Sequence, residues 1–128
     1  MNKNINFPLA FRIVGVYDIL LGLGFIFFYK SIYAACGITL PNHPGYVFVP
    51  ALFIVCGGVG EFLIAKNPLR NIDLVVVRLL MKLSFATAVL YCYFTMGIPM
   101  VFLVISILSI IGVVKNLAFL NWAKTQKG

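Results

Sequence analysis

Four ionisable residues stand inside otherwise apolar runs: Asp18, Glu61, Arg78 and Lys82. A charge in hydrocarbon costs several kcal/mol, so each of them demands a partner or water, and such residues mark fixed ion pairs, proton relays or ion pathways. With about 1.5 Å of rise per helical residue, Glu61 and Arg78 are predicted roughly 7 Å in from the inner membrane edge and Asp18 and Lys82 roughly 13 Å in. Those depths pair each acid with a base. Two chemistries follow: a cluster of ion pairs that fixes the packing, or a carboxylate, Asp18 or Glu61, that takes up and releases a proton as part of transport. Arg12 and Tyr17 are candidate supports for the cluster. Tyr17 stands beside Asp18, whereas Arg12 lies near the start of its apolar run and is able to snorkel to the headgroups instead.

The neighbours of the acids are small. Gly15 and Gly22 lie three and four positions from Asp18, and Gly57 and Gly58 share the stripe of Glu61. Small residues let helices approach closely in a membrane, so these glycines are read as helix-packing positions. Arg78 and Lys82 are one turn apart and fit one helix face. The resulting expectation is a core of helices one, two and three, closed by an uncharged fourth helix.

Other chemistries fail on inventory. His43 is the one histidine and falls in a Pro- and Gly-rich loop, so neither a bis-histidine haem nor a metal site is implied. Cys36, Cys56 and Cys92 form no CxxC pair and are expected as buried apolar thiols, Cys56 in mid-membrane; Cys36 and Cys92 are both near the outer surface, where a bridge is permitted. The GGVG at 57–60 lies in an apolar run and reads as a packing seam, not a phosphate loop. No catalytic signature and no cofactor requirement is visible. The net charge of +7 comes from residues spread along the chain, not from one patch, which argues against nucleic acid as a partner.

The elements that must position these residues follow from composition. The chain has 128 residues, 62% hydrophobic and 10% charged, with mean hydropathy +1.07, against about 45–50% apolar and 25% charged in soluble domains. A hydrocarbon core of about 30 Å needs about 20 apolar helical residues, and four stretches provide them: 9–29, 46–65, 74–94 and 98–118. The fold class is therefore all-α, a single integral membrane domain built as a four-helix bundle in the lipid bilayer. Pro8, Pro50 and Pro99 are expected near helix starts, where a missing N–H is tolerated.

Lys3, Arg12, Lys66, Arg70, Arg78, Lys82, Lys115, Lys124 and Lys127 fall toward one side and Lys30 alone toward the other, which predicts both termini in the cytoplasm. Lys30, between Tyr29 and Tyr33, reads as an interfacial anchor, with Trp122 as its cytoplasmic counterpart. The first apolar run is longer than a signal-peptide core and is expected to be retained. An offset of 49 aligns Pro50, Phe53, Val55, Lys66 and Asn67 with Pro99, Phe102, Val104, Lys115 and Asn116, a repeat that implies two tandem helical hairpins.

Arg12 followed by Gly15 and Gly22, a second helix with Gly57, Gly58, Gly60 and Glu61, and a basic loop with Lys66 and Arg70 together resemble the DoxX-like superfamily of small four-helix bacterial membrane proteins. The resemblance spans most of residues 12–90, and Asp18 and the basic third helix depart from it. It implies a bacterial inner-membrane accessory or membrane subunit, in some members connected with quinone-linked electron transfer or sulfur redox metabolism. Three functions are thus expected in descending order. The first is a non-catalytic module that binds a partner protein or a lipophilic ligand. The second is a small proton- or ion-coupled transporter using Asp18 or Glu61. The third is a quinone-linked electron-transfer subunit, with Phe25, Phe27 and Phe28 or Tyr91, Tyr93 and Phe94 lining a pocket beside a redox partner protein.

Overall fold

The computed structural model describes residues 5–126; Lys3 and Lys127, which the topology reading counts, lie outside them. Among the described residues the chain forms four α-helices, α1 (Phe7–Ala35), α2 (Gly45–Lys66), α3 (Ile72–Met96) and α4 (Met100–Gln126), each long and apolar enough to cross a membrane. The helices overrun the predicted spans because hydropathy reads the hydrocarbon-matched part alone, while helical backbone continues into the interface.

Local signals start and stop them. Asn6 caps α1, its side chain accepting from the Leu9 amide at 3.1 Å, with Pro8 in the first turn. His43 Nδ1 accepts from the Gly45 amide at 3.0 Å, which gives this histidine a turn-stabilising role at the entry of α2. Asn71 Nδ2 donates to the carbonyls of Leu63 and Asn67, both at 3.0 Å, tying the last turn of α2 to the connection that follows it. Gly37 and Gly97 adopt φ of +65° and +68° just beyond α1 and α3, the region that ends helices cheaply only at glycine. Pro50 departs from expectation: α2 begins at Gly45, so this proline sits inside the helix and leaves the Tyr46 carbonyl without its usual donor.

Packing is uneven. α1 lies along α2, and α3 along α4, far more extensively than α2 meets α3 or α1 meets α4, so the bundle is two hairpins side by side. This corrects the expected core of helices one to three. The repeat that suggested hairpins is not what builds them, because its matched residues occupy unlike places: Lys66 is exposed and Lys115 largely buried, while Asn67 ends α2 and Asn116 is fully buried.

Two apolar layers brace the bundle. One, at the end where the N-terminal turn of α1 meets the C-terminal part of α4, gathers Phe7, Phe11, Ile64, Ala65, Val75, Phe119 and Ala123. Trp122, half-buried at this end, packs its ring 5.2 Å from Phe7 and 5.7 Å from Phe119. The other layer, toward the opposite end, contains Phe25, Val47, Ala51 and Ile105, with Tyr29, Tyr33 and Phe48 against it. Large apolar residues elsewhere face outward, such as Phe27, Phe53, Ile111 and Val114, as lipid contact requires. Cys36 and Cys56 are also exposed and Cys92 half-buried, and all three are free thiols, so neither the expected burial nor a Cys36–Cys92 bridge is found. Lipid tails are as apolar as a protein core, and the burial preference of cysteine in soluble proteins therefore does not transfer.

A candidate site at the junction of the hairpins

Between the two apolar layers every helix carries a charge. Asp18 lies on α1 between Phe11 and Phe25, Glu61 on α2 between Ala51 and Ile64, Arg78 and Lys82 on α3 beyond Val75, and Lys115 on α4 between Ile105 and Phe119. Facing positions on four helices thus place five ionisable groups at one level of the bundle.

They form a chain of alternating sign. Lys82 Nζ lies 3.2 Å from Asp18 Oδ2; Asp18 Oδ2 accepts from Arg78 Nη2 at 2.5 Å; Arg78 Nε donates to Glu61 Oε1 at 3.2 Å; and Glu61 Oε2 accepts from Lys115 Nζ at 2.6 Å. The predicted pairs, Asp18 with Lys82 and Glu61 with Arg78, are both present. The sequence reading missed that Arg78 bridges both acids, which the planar fork of a guanidinium allows and a single ammonium point charge does not. Glu61 is fully buried and Asp18 nearly so. Withdrawing such charges from water costs several kcal/mol per ion, which is offset only when the geometry is good and the hydrogen bonds are complete.

The expectation of an uncharged fourth helix fails at Lys115. Besides binding Glu61, its ammonium stands 4.0 Å from the centroid of the Phe11 ring, a cation–π contact that holds the last cation of the chain against the aromatic layer. Residue 115 falls inside the predicted span 98–118 but three residues from its end, where a lysine is able to reach the headgroups, so its place in the sequence did not mark it as interior. Gly112, one turn before it, was also missed. A Cβ there would lie 2.6 Å from the Lys82 Cδ, so its bareness makes the notch through which the Lys82 stem passes.

The four predicted packing glycines divide into two kinds. Gly15 and Gly58 bring the backbones of α1 and α2 together: a Cβ on Gly58 would sit 2.8 Å from the Gly15 carbonyl oxygen. Two turns along, Gly22 does the same against Ala51, whose carbonyl oxygen would be 2.6 Å from an added Cβ. Gly57, in contrast, has a side chain as its nearest neighbour: a Cβ there would collide with the Arg78 guanidinium. It is a seat for a side chain from the other hairpin.

Arg12 is exposed and, among the described residues, pairs with no acid, so it does not support the cluster; one turn and a half before Asp18, it points to the outside of α1. Tyr17 does not hydrogen-bond into the cluster either. Its hydroxyl is buried and, among the described residues, has no partner.

Tyr17 also lines a cavity. A space of about 250 Å³ lies between the hairpins, lined from all four helices: Tyr17, Asp18 and Leu21; Pro50, Phe53 and Ile54; Arg78, Met81, Lys82 and Phe85; Ile105 and Ser109. Its walls are mostly apolar, with Asp18, Arg78 and Lys82 as charged groups and Tyr17 and Ser109 as the hydroxyl-bearing residues among its lining. Pro50, Phe53 and Met81 are exposed at its rim, so it opens sideways between α2 and α3 toward the membrane interior. The aromatic groups proposed to line a quinone pocket are elsewhere: Phe25 is in the apolar layer, and Phe27, Phe28, Tyr91 and Phe94 face outward. The chain matches no protein-family model, no characterised protein and no solved structure.

Proposed function

We propose that this is a multi-pass protein of the bacterial inner membrane, with both termini cytoplasmic, which has no catalysis of its own and holds a lipophilic molecule in the cavity between its hairpins. The observation that carries the reading is that cavity: apolar walls from four helices, a polar floor of Asp18, Arg78 and Lys82, and a mouth between α2 and α3. Small-molecule sites have this character, mostly apolar with a few placed polar groups, and in bundles they lie between helices. The ion-pair chain has the fixed role of holding the hairpins apart at one distance. Asp18 and Glu61 are each engaged by two cations, an arrangement suited to a strut and less so to a carrier whose carboxylate must empty and refill.

Orientation rests on Lys66, Arg70 and Lys124 at the end that holds both described termini, against Lys30 at the other. Membership of the DoxX-like superfamily is proposed on the glycine-bearing first hairpin and its acids.

Native mass spectrometry of the full chain released from mild detergent tests the reading. A bound lipophilic molecule is expected on the wild type and is expected to be lost from Ser109→Phe, which fills the cavity from α4. Equal retention by both proteins, with unchanged folding, overturns it. Labelling of Cys36, exposed beyond α1, by a membrane-impermeant maleimide in intact spheroplasts checks the orientation; protection of Cys36 there reverses it.

A further inference from the structure

The floor of the cavity has more donors than its own acceptors use. Among the described residues the buried cluster contains three cations, Arg78, Lys82 and Lys115, and two anions, Asp18 and Glu61, which leaves one positive charge in excess. The cation at the cavity end of the chain is Lys82. Its ammonium has three protons to give, and its contacts are all to one carboxylate, at 3.2 and 3.4 Å to the two oxygens of Asp18. Arg78 Nη1 has as its partner the Met81 sulfur at 3.8 Å, a weak acceptor. The Tyr17 hydroxyl, buried in the same wall, has none, and a buried polar group left unmade costs about 1–3 kcal/mol. Ser109 adds a hydroxyl from α4.

We infer that the cavity selects an amphiphile with a compact anionic oxygen head, whose head takes the free donors of Lys82, Tyr17 and Arg78 and whose acyl chain leaves between α2 and α3. This rests on the ligand-holding reading above and adds the chemistry of the head. Two features set the class. An acceptor is needed because the unmet groups are donors, and a negative charge is needed because the site is one charge short of neutrality. At about 250 Å³ the space is below the range of about 300–1,000 Å³ that encloses whole drug-sized ligands, so it takes a head and the first part of a tail, with the rest lying against the exposed faces of Phe53 and Met81. A carboxylate on a single chain satisfies this without strain, and an acidic phospholipid presents the same oxygens on a larger headgroup.

The experiment uses the full chain in nanodiscs of phosphatidylcholine, with radiolabelled oleate as probe and oleyl alcohol and phosphatidylglycerol as competitors. Oleate is expected to bind about tenfold or more tightly than oleyl alcohol, the difference that one charge-assisted hydrogen bond gives. Tyr17→Phe, which leaves the ion pairs intact, is expected to weaken oleate several-fold and leave oleyl alcohol unchanged; Lys82→Met is expected to erase the preference for the acid. Displacement by phosphatidylglycerol at matched concentration supports the anionic head and identifies the phospholipid as its source, while failure to displace supports the free acid. If oleate and oleyl alcohol bind equally and Ser109→Phe weakens both, the head-group inference is overturned and the cavity reading stands. Binding of neither, or binding indifferent to Ser109→Phe, overturns both.

Discussion

The two hairpins solve the same problem with opposite materials. Inside the first, every buried charge is acidic, Asp18 and Glu61, and its helices touch backbone to backbone at Gly15 with Gly58 and at Gly22 with Ala51. Inside the second, the charges facing the junction are basic, Arg78, Lys82 and Lys115. Its helices are held through side chains, with the Lys82 stem in the Gly112 notch and the Ser106 hydroxyl donating to the Ala86 carbonyl at 3.5 Å. The contrast teaches what joins helices where burial of apolar surface gives no driving force. Small residues provide contact within the first hairpin and side chains within the second, and opposite charge, between the two apolar layers, links one hairpin to the other. Neither hairpin is electrically complete without the other.

The comparison breaks most sharply at Arg78. Arg78→Leu removes the shared partner of both carboxylates and is expected to cost about 3–5 kcal/mol, as for loss of one member of a buried ion pair, seen as a large loss in reversible unfolding in mixed micelles. Arg78→Lys is expected to recover less than half, and a full recovery would show that bridging by the guanidinium is unimportant. Next in size is Gly58→Val, which drives α1 and α2 apart where their backbones cross; about 1–3 kcal/mol is expected for overpacking. The same change at Gly24, with open space at its Cβ position, should be close to neutral, and equal costs at the two sites would refute the small-residue account of the first hairpin.

The junction is sharpened by a double-mutant cycle on Glu61→Gln and Lys115→Met. A coupling of about 1 kcal/mol or more is expected for residues in direct contact, and additivity would remove α4 from the ion-pair chain. Smallest is Ser106→Ala, expected to cost no more than about 1 kcal/mol for a single neutral hydrogen bond. A larger loss would mean that the second hairpin depends on this contact and not on the charges it presents.

Much of this was legible before any coordinates. The spans could be read because a bilayer imposes one length and one solvent on every helix, and the acids and bases could be paired because depth is nearly linear in residue number along a helix. Rotation about each helix axis was the unreadable part. Apolar residues surround these helices on all sides, so no polar face marks which way Arg12 or Cys56 points. Lys115 escaped for a related reason: near the end of a span, a lysine in the core and a lysine reaching the headgroups have the same sequence surroundings. Gly57 was correctly singled out for its size but assigned to helix contact, since one glycine does not tell whether its space is taken by a backbone or by a guanidinium from another hairpin.

The division of sign between the hairpins also has a temporal side. Synthesis delivers α1 and α2 first, and from that moment until α3 enters the bilayer Asp18 and Glu61 have no buried cation to meet. A half-made chain therefore holds an energetic debt that Arg78, the first interior cation to arrive, settles for both carboxylates at once.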